Sequence, residues 1–381
     1  MMMPTHPSQA LLVTLLLVLS CSSTSTHGEG FEPLTEDDGA WVSVYPSYAY
    51  RDGGAWVVPL TYRVHEERGW LGRIVTRIAE SWADPGPDEM DRLQVRLHDF
   101  VTDSESRESV TFVVEEDPTG ESYRLEDPDG DPIRTGLNGM AEGKLTLSDE
   151  TVREIQENGR DDDGWITLTA VSPGHQGEGR VQLVEDEGLS VISDIDDTVK
   201  RTEIPGGASR VVRKTFFEEW EPATEMAERF DAWESEAEGA LKVHYVSAGP
   251  WPLQRHLADF LFSPEVGFPE GSFRMRIIRR HPLSLRTWRD LYGLVVDETG
   301  TYDYKVQETS RIVERFPDRE FILVGDTGQD DPEAYRAVQE RFPDRVLEIV
   351  MRDVTRDRER NPERLEGMTV IPAEDLTGGS P

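Results

Sequence analysis

The sequence predicts an α/β domain with a mostly parallel, Rossmann-like sheet, preceded by a β-rich, sandwich-like domain. Three observations carry this. From residue 189 onward, short apolar runs alternate with amphipathic stretches, the order that builds a parallel sheet covered by helices. Before residue 186 the apolar runs are short and alternating, and loops rich in Asp, Gly and Pro separate them. The acidic pentapeptide Asp194-Ile195-Asp196-Asp197-Thr198 follows the apolar run 189–193 directly. It therefore falls at the carboxyl end of a buried strand, where open α/β sheets bind ligands.

A chain of 381 residues is long enough for two domains, and 36% hydrophobic content with nine Trp supplies a sizeable core. The formal net charge of -35 argues against nucleic acid, whose binders carry a basic footprint. It also disfavours free adsorption to an anionic membrane and suits solubility in high salt.

Taken in order, residues 1–21 read as a signal peptide. Residues 10–19 form an apolar stretch too short to span a bilayer. Leu17-Val18-Leu19-Ser20-Cys21 follows and resembles a bacterial lipoprotein signal. Cys21 is the only cysteine, so it has no internal disulfide partner. The expectation is an exported, cell-envelope protein tied to a membrane surface by a lipid on Cys21; a secreted or periplasmic protein with a cleaved signal is the alternative. Residues 22–38 read as a flexible tether.

Residues 39–186 are the β-rich domain, with strands at 41–45, 54–64, 110–114 and 165–171. Helices are expected at 69–82, from the spacing of Leu71, Ile74, Val75 and Ile78, and at 149–156. His65, His98 and His175 sit on no metal-ligand spacing and read as isolated surface histidines. Residues 187–356 are the α/β domain, with strands at 189–193, 243–247, 273–278, 321–324 and 346–350. Helices are expected at 222–236, 252–262, 305–316 and 332–342. Residues 357–381 form a C-terminal tail.

The chemistry is legible in four segments. In Asp194-Ile195-Asp196-Asp197-Thr198, one carboxylate can attack phosphorus, a second can shuttle a proton, and both can help hold a divalent cation. Ser247 ends the next strand shortly before a helix near Pro252, a terminus that attracts anions. Lys305 opens a helix, where a cation is out of place by the dipole rule unless it faces an anion. Gly325-Asp326-Thr327-Gly328-Gln329-Asp330-Asp331 places a further acidic loop after a strand, which suits Mg²⁺. Taken singly, Ser247 reads as a helix cap, Lys305 as a solvated cation and Asp326 as a turn residue.

In order they spell Asp-x-Asp-x-Thr, Ser, Lys and Gly-Asp-x-x-x-x-Asp. That series resembles the haloacid dehalogenase-like phosphohydrolases. With Pro250-Trp251-Pro252-Leu253, Gly267-Phe268-Pro269-Glu270-Gly271-Ser272-Phe273 and Pro332-Glu333-Ala334-Tyr335 it is more similar to the App1-like phosphatidate phosphatases. The likeness covers residues 189–354 and extends weakly to Trp41-Val42-Ser43-Val44-Tyr45-Pro46, which looks like the start of the bacterial relatives.

The resemblance implies a haloacid dehalogenase-like fold for residues 187–356 and Mg²⁺-dependent hydrolysis of phosphatidate to diacylglycerol and phosphate. Asp194 would be the nucleophile, forming an aspartyl-phosphate. Asp196 would be the general acid, protonated at neutral pH if its carboxyl points away from the metal, and then the base. Thr198, Ser247 and Lys305 would contact the phosphate. Asp194, the Asp196 backbone carbonyl, Asp326 and Asp331 would hold the metal. Ala248-Gly249-Pro250 departs from the relatives and bears on substrate contacts.

Arg274, Arg276, Arg279, Arg280, His281, Arg286 and Arg289 form a local basic segment that either meets an anionic headgroup or pairs with nearby carboxylates. Trp251, Phe260, Leu261 and Phe262 read as helix core or as an acyl-chain surface. The rivals are the same chemistry on a soluble phosphomonoester or phosphoprotein, and a non-catalytic envelope lipid-binding protein that keeps the fold.

Overall fold

The computed structural model describes residues 39–66, 85–158, 164–238, 240–277 and 300–373. The signal and tether with Cys21, the helix expected at 69–82, and Arg279, Arg280, His281, Arg286 and Arg289 lie outside them. The described residues fall within one compact unit.

Among the described residues ten strands precede residue 184: β1 Ala40–Val44, β2 Ser47–Asp52, β3 Ala55–Glu66, β4 Asp103–Ser104, β5 Thr111–Val114, β6 Ser122–Arg124, β7 Met140–Ser148, β8 Trp165–Ala170, β9 His175–Gln176 and β10 Glu178–Leu183. They form one mixed ten-stranded sheet rather than two separate ones. The reason is β2. Its first half, Ser47 to Ala49, pairs with β10, and its second half, Tyr50 to Asp52, pairs with β3. One strand thus serves both halves of the sheet around a shared core that includes Val42, Leu60, Phe112, Ile166 and Val181.

Six strands follow among the described residues: β11 Gly188–Ser193, β12 Lys242–Pro250, β13 Gly271–Arg276, β14 Arg319–Asp326, β15 Val346–Asp353 and β16 Thr369–Pro372. All are parallel, in the order β13-β12-β11-β14-β15-β16. The short strand β16 lies inside the expected tail. The eight α-helices among the described residues are α1 Pro87–Val101, α2 Asp149–Glu157, α3 Ala208–Val212, α4 Thr224–Glu236, α5 Gln254–Leu261, α6 Thr301–Arg315, α7 Asp331–Arg341 and α8 Asp357–Arg360.

The period-two rule of a strand explains the layers. On β11, Val191 joins the core cluster shared with α4 and α5, and Ile192 joins the one shared with α6 and α7. On β14, Ile322 and Val324 take the first cluster while Leu323 takes the second.

The two sheets are locked together. Tyr45 stacks on Trp251 with ring centroids 4.4 Å apart. The Phe273 amide on edge strand β13 donates to the Pro46 carbonyl at 3.1 Å. Arg274 is buried and donates to the Pro59 carbonyl at 2.9 Å. Arg274 is therefore a structural residue, not part of a surface that meets a headgroup. Trp251 and Leu261 are core, as the plainer of the two readings has it.

Helix α1 was not anticipated. Its signal is nonetheless there: Pro87 in the first turn, acidic Asp88 and Glu89 beside it, and buried Leu93, Leu97 and Phe100 on one face. The surface reading of His65 is also wrong. His65 is buried on β3, where Ser43 Oγ lies 2.9 Å from its Nε2. The His175 side chain is only 8% exposed.

Candidate active site

The strand order reverses direction around β11, and the pentapeptide leaves its carboxyl end at that switch point. The Asp194 amide continues the ladder by donating to the Val324 carbonyl at 2.9 Å. Asp197 then takes a left-handed conformation, φ 59°, uncommon for a residue with a Cβ. Its carboxylate holds the turn by accepting the amides of Thr202, Glu203 and Ile204 at 2.8, 2.6 and 2.6 Å. This aims Asp194 and Asp196 off the strand end.

Asp194 is 2% exposed. Thr198 Oγ1 donates to its Oδ2 at 3.3 Å, and Lys305 Nζ sits 3.0 Å from its Oδ1. Lys305 is fully buried and also donates to Asp331 Oδ1. It does not open its helix. α6 begins at Thr301, which puts Lys305 in the second turn, so the dipole argument does not apply to it. Burial alone would lower the Lys305 pKa, but Asp194 and Asp331 outweigh burial and hold it well above the usual ammonium range. Burial pushes the Asp194 carboxyl up to about 7, with Lys305 opposing the rise and Asp331 adding to it.

Asp326 ends β14 and Asp331 begins α7. Gly325 makes their approach possible: a Cβ there would lie 2.5 Å from Asp331 Oδ2. Carboxylate oxygens of Asp194, Asp326 and Asp331, all buried, lie within 4.8 Å of one another. Asp326 Oδ1 accepts the Gly328 amide at 2.6 Å, while its Oδ2 is buried without a hydrogen-bond partner. Burial, then the neighbouring Asp331 and Asp194, raise the Asp326 pKa well above the carboxylate range. Three converging acids, one with an orphaned oxygen, form a donor set that fits a hard divalent cation. Asp330 is exposed and stands at the N-terminal end of α7 without a side-chain capping hydrogen bond.

The carboxylate of Asp196 stands outside this cluster. Lys200 Nζ donates to its Oδ1 at 2.8 Å and Thr202 Oγ1 donates to the same oxygen at 2.6 Å. Burial acts to raise its pKa, but Lys200 and Thr202 outweigh burial and hold it below the ordinary value. The expectation of a protonated Asp196 is therefore corrected: the adjacent buried lysine keeps it ionised. Neither Lys200 nor Thr202 was singled out beforehand. The spacing from Asp196 to Lys200 is the one available signal, a carboxylate and an ammonium four residues apart. Ser247 is buried inside β12 and its Oγ accepts the Gly249 amide at 2.9 Å, so it is not a helix cap.

A cavity with an empty volume of about 590 Å³, its open mouth included, opens onto Asp194, Asp196 and Ser247. Asp194, Asp196, Lys200 and Ser247 line one part of it, and Ile204, Val211, Leu253, Leu257 and Met275 supply an apolar wall. Among the described residues, no helix is long and apolar enough to cross a membrane.

Residues 189–353 match the family model described as phosphatidate phosphatase APP1, catalytic domain. An uncharacterized protein of Schizosaccharomyces pombe is 27% identical over 178 residues, 46% of this chain and 27% of that one. Phosphatidate phosphatase APP1 of Saccharomyces cerevisiae is 28% identical over 171 residues, 44% of this chain and 26% of that one. The chain thus spans about a quarter of the length of these relatives. A crystal structure of a probable phosphoserine phosphatase from Vibrio cholerae is 12% identical and covers 75% of this chain and 89% of its own, but its TM-score of 0.22 carries no argument. Asp194, Asp196, Thr198, Ser247, Lys305, Asp326 and Asp331 all fall inside the matched segment, so it is through residues 189–353 that the chain is similar to the APP1 catalytic domain.

Proposed function

We propose that this protein is a Mg²⁺-dependent phosphoric monoester hydrolase that acts on a phosphatidate-type lipid and releases diacylglycerol and phosphate. One observation carries the reading: a cavity whose polar part is lined by Asp194, itself one of three clustered buried carboxylates, and whose other wall is apolar. A soluble sugar phosphate would leave that wall poorly used, whereas the glycerol ester of a lipid fits it.

Asp194, Asp326 and Asp331 would hold the cation, with the Asp196 backbone carbonyl. When bound, Mg²⁺ would neutralise phosphoryl oxygens and so let an anionic nucleophile approach. Lys305 fixes Asp194 Oδ1 and adds positive charge beside the phosphoryl site. Thr198 steadies Asp194 Oδ2, and Ser247 contributes a hydroxyl to the phosphate. Asp194 attacks phosphorus, the new O–P bond forms and the ester P–O bond breaks, giving an aspartyl-phosphate and an alkoxide. Because Lys200 keeps Asp196 ionised, Asp196 first accepts a proton, from the substrate's phosphoryl hydroxyl or from solvent, and passes it to the alkoxide. In the second step the same carboxylate takes the proton of a water whose oxygen attacks phosphorus; the Asp194 O–P bond breaks, phosphate leaves and the Asp194 carboxylate is restored.

The test is phosphate release from short-chain phosphatidate, p-nitrophenyl phosphate and sugar phosphates, each with and without Mg²⁺, using Asp194→Asn as control. Turnover should favour phosphatidate, require the metal and vanish in the variant. Preference for a soluble ester moves the substrate; metal-independent turnover or activity surviving in Asp194→Asn overturns the mechanism. The reading includes a lipid on Cys21, which mass analysis of the N-terminal peptide from membrane-extracted protein tests: an unmodified cysteine removes the anchor.

A further inference from the structure

The apolar wall of the cavity is built partly by the segment after the pentapeptide, through Ile204, Val211 and Thr215. That segment runs through α3 into a π-helical turn, Arg213–Phe217, in which the Glu218 amide donates to the Arg213 carbonyl at 2.9 Å. Single π-turns are rare and end with carbonyls that lack partners inside the helix. Here one of the partners comes from outside the matched catalytic segment. Arg96 on α1 donates through Nη1 to the Thr215 carbonyl at 2.8 Å and to the Glu218 carbonyl at 2.7 Å. Its guanidinium lies 4.2 Å from the Trp220 ring centroid, and the Trp220 indole N–H donates to the same Thr215 carbonyl at 3.1 Å. Glu89, also on α1, pairs with Arg213 at 2.5 Å, and Phe100 packs on Phe216 with centroids 5.7 Å apart.

We propose that Arg96 is a positioning residue for substrate selection: from a helix outside the catalytic segment, it pins the π-turn and so sets where Val211 and Thr215 stand in the cavity wall. The β-rich part of the chain is on this account a component of the site, not a separate appendage. The proposal rests on the phosphatase reading and adds a specific claim to it. Arg96 touches no reacting atom. It acts on the wall that meets the leaving group and leaves the phosphoryl end, built by β11, β12, β14, α6 and α7, as it is.

The experiment compares kcat/KM for dioctanoyl phosphatidate with that for p-nitrophenyl phosphate in the full chain, for wild type, Arg96→Ala and Arg96→Lys. Losing a charged two-carbonyl donor should lower the lipid-to-small-ester ratio about tenfold in Arg96→Ala, mostly through KM for the lipid. Activity on p-nitrophenyl phosphate should stay near wild type. Arg96→Lys keeps one charged donor and should recover part of the ratio; it also serves as the readout if Arg96→Ala does not fold. A purely structural role would lower both substrates together with the folded fraction, leaving the ratio unchanged, and that result overturns the proposal. If wild type turns over no phosphomonoester, the phosphatase reading has failed instead, and the two failures are distinct.

Discussion

Replacing Asp326 by Asn should make the metal-free protein more stable while removing its response to metal. Asp326 Oδ2 has no partner, and carboxylate oxygens of Asp194, Asp326 and Asp331 lie within 4.8 Å of one another. At that separation and an effective dielectric of about 20, two unit charges repel by about 3.5 kcal/mol. Lys305 offsets part of this, and protonation of Asp326 caps the rest, so a net gain of ~1–3 kcal/mol is expected for Asp326→Asn at pH 8. The amide oxygen keeps the Gly328 hydrogen bond, and the new NH₂ group can donate to the neighbouring acids.

The sign with pH follows from the raised pKa of Asp326. An acid whose folded pKa lies above its unfolded value carries no penalty below about pH 4, where both states are protonated. It destabilises the fold increasingly as pH rises toward the folded pKa. The advantage of Asp326→Asn should therefore grow between pH 5 and pH 8, values chosen to lie above about pH 4. The assay is urea unfolding in EDTA across that range, repeated with Mg²⁺. Wild type should gain stability on adding the ion, and the variant should gain little. If Asp326→Asn is less stable than wild type in EDTA, or gains as much from Mg²⁺, the reading of the three acids as a cation site is wrong.

Three further outcomes are expected. Arg352→Met should cost about 3–5 kcal/mol in denaturant unfolding, because Arg352 is fully buried, pairs with Glu225 at 2.7 Å and donates to the Asp197 carbonyl at 3.0 Å. Gly325→Ala places a Cβ against Asp331 and should weaken Mg²⁺ or Mn²⁺ binding by roughly 10- to 100-fold in a calorimetric titration, with the circular dichroism spectrum retained. Burial, then the nearby Arg63, lower the His65 pKa to about 3, so charging His65 opposes folding. Stability should fall by at most ~1.4 kcal/mol per pH unit as pH drops below about 6.5, and His65→Phe should flatten that limb of the acid unfolding curve.

Some of this was legible in the residues alone because it is local. The run 189–193 followed by Asp194 and Asp196, and the run 321–324 followed by Asp326, place acids at strand ends by periodicity. Alternation of runs placed five strands of the parallel sheet, though not the sixth, Thr369–Pro372, which is only four residues long. Helix α1 carried its own Pro87-Asp88-Glu89 start and an apolar face and could have been found. The one-sheet arrangement of the β-rich half could not, since it depends on β2 dividing its hydrogen bonds between β3 and β10.

The residue types, their order and the family they resemble were decided by the sequence itself, because each motif is a few residues long and follows its own strand or helix. Tertiary packing decided the state of each group. Asp196 is held ionised because the chain turns back at Asp197 and buries Lys200 against it. Lys305 becomes a clamp between Asp194 and Asp331 because α6 packs beside α7 across more than a hundred residues of chain from β11. Charge and protonation depend on distance in space and on exclusion of water, and neither is a property of neighbours along the chain.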